Sequence, residues 1–135
     1  MTTSGAAPLI TTVGVQITAA GATTDATYIA RVPFTGVVSA VTYVPVSAIT
    51  GAATNNRTHS VTNKGDDGSG STSVASLAWA SGVDGTASAE NAITLSATAA
   101  NLVVTAGDIL AVGTVHAGTG IADPGGTLFI QISRD

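Results

Sequence analysis

Residues 28–46 read as two β-strands joined at Thr35-Gly36, and this stretch commits the chain to a sheet-based fold. From Tyr28 to Phe34 one face carries Tyr28, Ala30, Val32 and Phe34, and the other carries Ile29, Arg31 and Pro33. Period-two alternation of this kind marks a strand with one buried face. After Gly36 the run Val37-Val38-Ser39-Ala40-Val41-Thr42-Tyr43-Val44 is apolar in both phases, as expected of a strand covered on both sides. The second strand is therefore expected at the centre of a sheet and the first nearer an edge. Pro33 and Pro45 close the two runs, where a residue without a backbone donor does least harm.

The same alternation recurs along the chain. Residues 9–18 set Val13, Val15 and Ile17 against Thr12, Gly14 and Gln16. Residues 57–63 set Arg57, His59, Val61 and Asn63 against Thr58, Ser60 and Thr62, and are expected to form a polar, outward-facing strand. Residues 72–80, 92–96, 102–104, 109–115 and 127–133 read as further strands, the last with Leu128, Ile130 and Ile132 on one face. Glycine, asparagine and aspartate clusters separate them, including Gly65-Asp66-Asp67-Gly68 and Asp123-Pro124-Gly125-Gly126. Short helical turns are expected only in the alanine-rich segments 87–92 and 97–100. About eight or nine short strands with turn signals between them predict an all-β, antiparallel β-sandwich, of jelly-roll or Greek-key type. Strand order is not written in this pattern. Residues 1–8 read as an extended N-terminal arm, and residues 9–135 as a single domain.

Charge narrows the function classes. Only 9% of the 135 residues are charged, against about 25% in an ordinary soluble chain. The surface must consist largely of Thr, Ser, Ala, Gly and Asn, which suits a surface covered by other subunits. A net charge of −4 and only four basic residues, Arg31, Arg57, Lys64 and Arg134, leave no basic stripe for nucleic acid. There is no cysteine, which removes disulfides and thiolate metal sites. The first residues lack the basic and apolar regions of a secretory signal. No apolar run approaches the ~18 residues of a membrane helix.

No group of residues spells a catalytic site. His59 and His116 stand at no spacing from a serine and carboxylate that suggests a triad, and no Gly-x-Ser-x-Gly elbow is present. The segment 63–74 has the outline of a calcium loop but carries Val74 where the twelfth position needs Glu. Gly68-Ser69-Gly70-Ser71 lacks the lysine of a phosphate-binding loop. Aromatic platforms for sugar are scarce, and Trp79 reads as a core or interface anchor. The sequence thus points to no enzyme, no cofactor and no metal.

Five segments carry a resemblance. They are Arg31-Val32-Pro33-Phe34-Thr35-Gly36-Val37-Val38, Val41-Thr42-Tyr43-Val44-Pro45, Asn55-Asn56-Arg57-Thr58, Ala106-Gly107-Asp108-Ile109-Leu110 and Ala122-Asp123-Pro124-Gly125-Gly126. In them the chain resembles the small capsid decoration (cement) proteins of tailed bacteriophages, especially those infecting actinobacteria. The resemblance implies a β-sandwich on the outer surface of an icosahedral head, commonly a homotrimer, that stabilises contacts between major capsid proteins. Thr2, Thr3, Leu9, Ile10 and Trp79 are the candidate subunit or capsid contacts. A head-fibre or tail-associated domain is the alternative, and a carbohydrate-binding surface module a more distant one.

Overall fold

The computed structural model describes residues 9–134, and these form an all-β structure of two antiparallel sheets. In chain order the strands are β1 (Leu9–Ile17), β2 (Ala26–Arg31), β3 (Gly36–Pro45), β4 (Arg57–Asn63), β5 (Thr72–Ala78), β6 (Asn91–Ala92), β7 (Val103–Val104), β8 (Ile109–His116) and β9 (Gly126–Arg134). One sheet has the order β1-β9-β3-β6, with β7 also pairing β3, and the other has the order β2-β8-β4-β5. Only the link between β4 and β5 is a hairpin within one sheet. Nearly every other connection carries the chain from one sheet to the other, so neighbours in sequence lie in opposite layers.

The expected central stretch behaves this way. β2 lies at the edge of the smaller sheet and β3 inside the larger one, so the two strands joined at Thr35-Gly36 do not pair. The tail of β2 is instead held by Val32 N–H donating to Asp108 O and Gly107 N–H donating to Val32 O, each 2.9 Å. β3 is central in order, as expected, but only one of its faces is covered. A bulge between Val38 and Ala40 shifts the phase, so Val38 points inward before it and Val41 and Tyr43 after it. The apolar character of both phases records that bulge rather than burial on two sides. A second bulge opposite Val61–Thr62 turns both Val74 and Ala75 of β5 into the core.

One core fills the space between the sheets. Val15, Ile17, Val38, Val41, Leu128, Ile130 and Ile132 come from one side, and Ala30, Val61, Val74, Leu110 and Val112 from the other. With two phenylalanines and one tryptophan in the chain, this core depends on branched aliphatic packing. The sole helical turn among the described residues is a 3₁₀ segment, Ala99–Leu102, which overlaps the last two residues of the second alanine-rich region. The first such region instead contains β6. β4 differs most from expectation. Arg57, His59 and Val61 face the core and are buried, and the strand lies between β8 and β5 rather than presenting a polar outer face.

Candidate functional site

The inward phase of β4 places two polar side chains where apolar ones would ordinarily sit. Arg57 is 1% exposed and His59 0%. Such burial is tolerable only when every polar group finds a partner. Among the described residues no buried side-chain nitrogen or oxygen lacks one.

His59 belongs to a chain of four side chains that spans both sheets. Trp79, just beyond β5, donates from Nε1 to His59 Nδ1 at 2.7 Å. An indole N–H can only donate, so Nδ1 carries no proton and the imidazole proton resides on Nε2. Nε2 then donates to Asp123 Oδ2 at 2.8 Å. The other carboxylate oxygen accepts from the Tyr43 hydroxyl at 2.7 Å and from Gly125 N–H at 3.0 Å. Tyr43 and His59 rings also stack in a tilted arrangement with centroids 4.5 Å apart. Burial pushes the Asp123 carboxyl up, but the bonds from His59 and Tyr43 outweigh it and hold the group below its ordinary value. Burial, and then the bond to Asp123, push the Tyr43 phenol far above its ordinary value.

Arg57 forms a second hub beside the first. Its Nε donates to Ile121 O at 2.9 Å. Its terminal nitrogens donate to Gly21 O, Ala22 O and Thr24 O at 2.9, 3.1 and 3.0 Å, with longer contacts to Thr114. No carboxylate takes part; the planar guanidinium serves as an anchor for carbonyls from two loops. Those loops, residues 18–25 and 117–125, are also bridged through paired backbone bonds between Ala20 and Asp123.

A histidine bonded to a buried aspartate has the outline of the base and orienting acid of a hydrolase. The position that would hold the nucleophile is occupied by the Trp79 indole, which offers no attacking atom. The arrangement fixes ring orientation and loop position; it locks the two crossing loops to β3, β4 and β5. Trp79 is 1% exposed, so this candidate contact is a core anchor and is removed from any surface role in the folded chain. Leu9 and Ile10 are on the surface, 44% and 56% exposed at the start of β1. Thr2 and Thr3 lie outside the described residues. His116, the other histidine, is surface-accessible and bonded through Nδ1 to Asp25 at 2.7 Å. Hydrogen bonds from the His116 ring and backbone hold the Asp25 carboxyl below its ordinary value.

The outer face of the larger sheet is the most distinctive surface. The strand registers set its side chains in four cross-strand rows: Ile10–Ser133–Val37, Thr12–Gln131–Ala40, Gly14–Phe129–Thr42 and Gln16–Thr127–Val44. None of these residues is charged. The first row continues into Val103 of β7, so the exposed side chains of Ile10, Val37 and Val103 lie in one row, with Ser133 between the first two. Phe129 is the one aromatic side chain on this face. Its ring lies against Gly14, where an added Cβ would sit 3.6 Å from Cε1, so it covers a residue with no side chain of its own. Beside it Thr12, Ala40, Thr42, Gln131 and Glu90 line a shallow depression of about 270 Å³.

No protein-family model, curated protein or solved structure matches this chain. What it does must be argued from its own residues.

The polar, outward reading of β4 missed the buried hub, though two signals could have found it. Val61 shares its phase with Arg57 and His59, and that apolar partner marks the inward face of β4. Trp79 in a core needs an acceptor, and a histidine is a natural one. Asp123 gave no such signal, because Asp-Pro-Gly-Gly has the composition of an ordinary turn.

Proposed function

We propose that this chain is a non-enzymatic structural protein of a bacteriophage virion. It binds the outer surface of the icosahedral head as a homo-oligomer, a trimer in the form the resemblance implies, and cements neighbouring major capsid proteins. The observation that carries this reading is the run of four uncharged cross-strand rows on the outer face of the larger sheet, with Glu90 alone at their margin. A protein with twelve charged residues, four basic and eight acidic, keeps all of them off those four rows. Such rows lose little on desolvation when they lie against another protein, because none of their side chains is an ion to be stripped of water.

The architecture proposed is a jelly roll. The sheet orders β1-β9-β3-β6 and β2-β8-β4-β5 support it, with successive strands alternating between layers. Eight-stranded jelly rolls of two Greek keys recur in viral capsid and lectin domains. Fold alone does not decide function, so the weight rests on the face and on the segment resemblance. Cementing works by mass action. A ligand present at a hundredfold excess over its Kd contributes about 2.7 kcal/mol at each site it occupies, and the sites on a shell are many.

Co-sedimentation with purified heads of the source phage tests the reading. The full chain is expected to pellet with assembled heads and to raise their thermal disruption temperature. A chain lacking residues 1–8 is expected to fold normally and bind more weakly, because the proposed arm reaches a neighbour. Failure of the full chain to bind heads would remove the cementing role, and equal binding by the shortened chain would remove the arm from it.

A further inference from the structure

Among the described residues, every sheet edge but one is protected. An unprotected edge exposes a row of unpaired N–H and C=O groups, and proteins blunt such edges with charge, proline, bulges, short strands or a covering segment. The free edge of β2 is six residues long, with Asp25 before it, Arg31 at its end and Pro33 beyond. The edge of β5 is covered by the segment that follows β6. Ser76 N–H donates to Thr94 O and Ser96 N–H to Val74 O, at 2.9 and 2.8 Å. The far edge of β3 is closed by β6 and β7, each two residues long.

β1 carries none of these devices within its nine residues, although Pro8 directly precedes it. It pairs with β9 over all nine residues without a register shift. Its sequence, Leu9 through Ile17, contains no charge and no proline. Among the described residues nothing pairs with its other side. The half of β1 nearest the N-terminus is also incompletely covered by the opposite sheet. Leu9, Thr11 and Val13 share the inward phase with Val15 and Ile17, yet only the latter two are buried.

We propose that the free edge of β1 is an interface at which two copies of this chain pair, antiparallel and about a two-fold axis, through residues 9–13. The edge is complementary to itself. With the axis at Thr11, Leu9 faces Val13 of the second copy, Ile10 faces Thr12, and Thr11 faces its own counterpart. Apolar pairs and threonine pairs are favourable cross-strand neighbours. The absence of charge means that the symmetric apposition creates no like-charge contact, the usual obstacle to pairing a strand with its copy. Pairing satisfies the free backbone groups of alternate residues, covers the half-exposed inward side chains and joins the two larger sheets into one. Such a contact is isologous and closes on itself, whereas a threefold assembly is built from head-to-tail contacts. The pairing is therefore distinct from a trimer contact, and it does not depend on the head-binding role.

The chain has no cysteine, so a single introduced one gives a clean test. Thr11→Cys, in the full chain under mild copper–phenanthroline oxidation, is expected to form a disulfide-linked dimer about tenfold faster than Thr62→Cys on the outer face of the smaller sheet. Excess unmodified chain is expected to slow the reaction by competing for the same edge. Sedimentation equilibrium of the unmodified chain at about 100 µM is expected to show dimer, and Ile10→Lys to weaken it about tenfold, which corresponds to 1.4 kcal/mol. Equal crosslinking rates for the two cysteine variants, or a wild-type chain that stays monomeric at that concentration, would overturn the proposal.

Discussion

Arg57→Ala lowers the stability of the folded chain by about 3–5 kcal/mol, because four carbonyls each lose a bond from a charged donor, worth about 1.5–3 kcal/mol apiece before the loops relax toward water. The substitution leaves the carbonyl oxygens of Gly21, Ala22, Thr24 and Ile121, all in a part-buried site, without their donor. Each carbonyl keeps its desolvation cost and loses the bond that offset it. Two loops come free together, because the same guanidinium holds residues 18–25 and 117–125. Since a domain of this kind is stable by only about 5–15 kcal/mol, the variant is expected to be partly unfolded at 37 °C. Arg57→Lys recovers only part of the loss, for an ammonium has three donors at one point and cannot span carbonyls arranged around a planar fork. Urea denaturation monitored by Trp79 fluorescence measures both. Arg31→Ala, at an exposed position, is the control and is expected to change stability by less than about 0.5 kcal/mol. An Arg57→Ala chain as stable as that control would show that the loops are held by something else.

Asp123 carries the second large effect, and it depends on pH. Asp123→Ala strands three donors at once, the His59 Nε2–H, the Tyr43 hydroxyl and the Gly125 N–H, and is expected to cost about 3–4 kcal/mol at pH 7. Asp123→Asn keeps the shape and loses the charge. In the unfolded chain Asp123 titrates near the ordinary value of 3.8, and in the folded chain below it. A carboxyl with a depressed folded value contributes stability that is complete above the unfolded value. That stability is lost as pH falls below 3.8 toward the folded value. The advantage of the wild type over Asp123→Asn should therefore be constant from about pH 7 to 5 and shrink progressively below about pH 4. A gap that stays constant down to about pH 2.5 would show that folding does not depress the Asp123 carboxyl, and a gap that widens as pH falls from about 7 to 4 would show that Asp123 is protonated in the folded chain.

How much of this was legible in the residues alone varies by element. β1, β8 and β9 are found to within a residue or two, β1 and β9 by their alternation, with Leu128, Ile130 and Ile132 on the buried face of β9. The bulge at Ser39 is invisible to that reading, because a phase shift inside an apolar run looks like a strand buried on both sides. β4 misleads for a different reason. Arg57 and His59 are polar, and hydropathy assigns them to solvent; their burial becomes affordable only through hydrogen-bond partners that lie 20 to 64 residues away along the chain. Strand order is decided by such distant contacts as well, which is why the residues gave two sheets but not their arrangement. The uncharged outer face was foreshadowed by a composition with little charge, but composition does not say where the few charges go. The four rows appear only once the registers of β1, β9 and β3 are known.

The most direct measurement is the copy number of this chain in purified virions of its source phage, relative to the major capsid protein. The cementing role predicts an abundance equal to that of the capsid protein or a simple fraction of it. A count of a few copies per particle would contradict that role in favour of a fibre or tail component, and absence from virions would contradict any structural part in the particle.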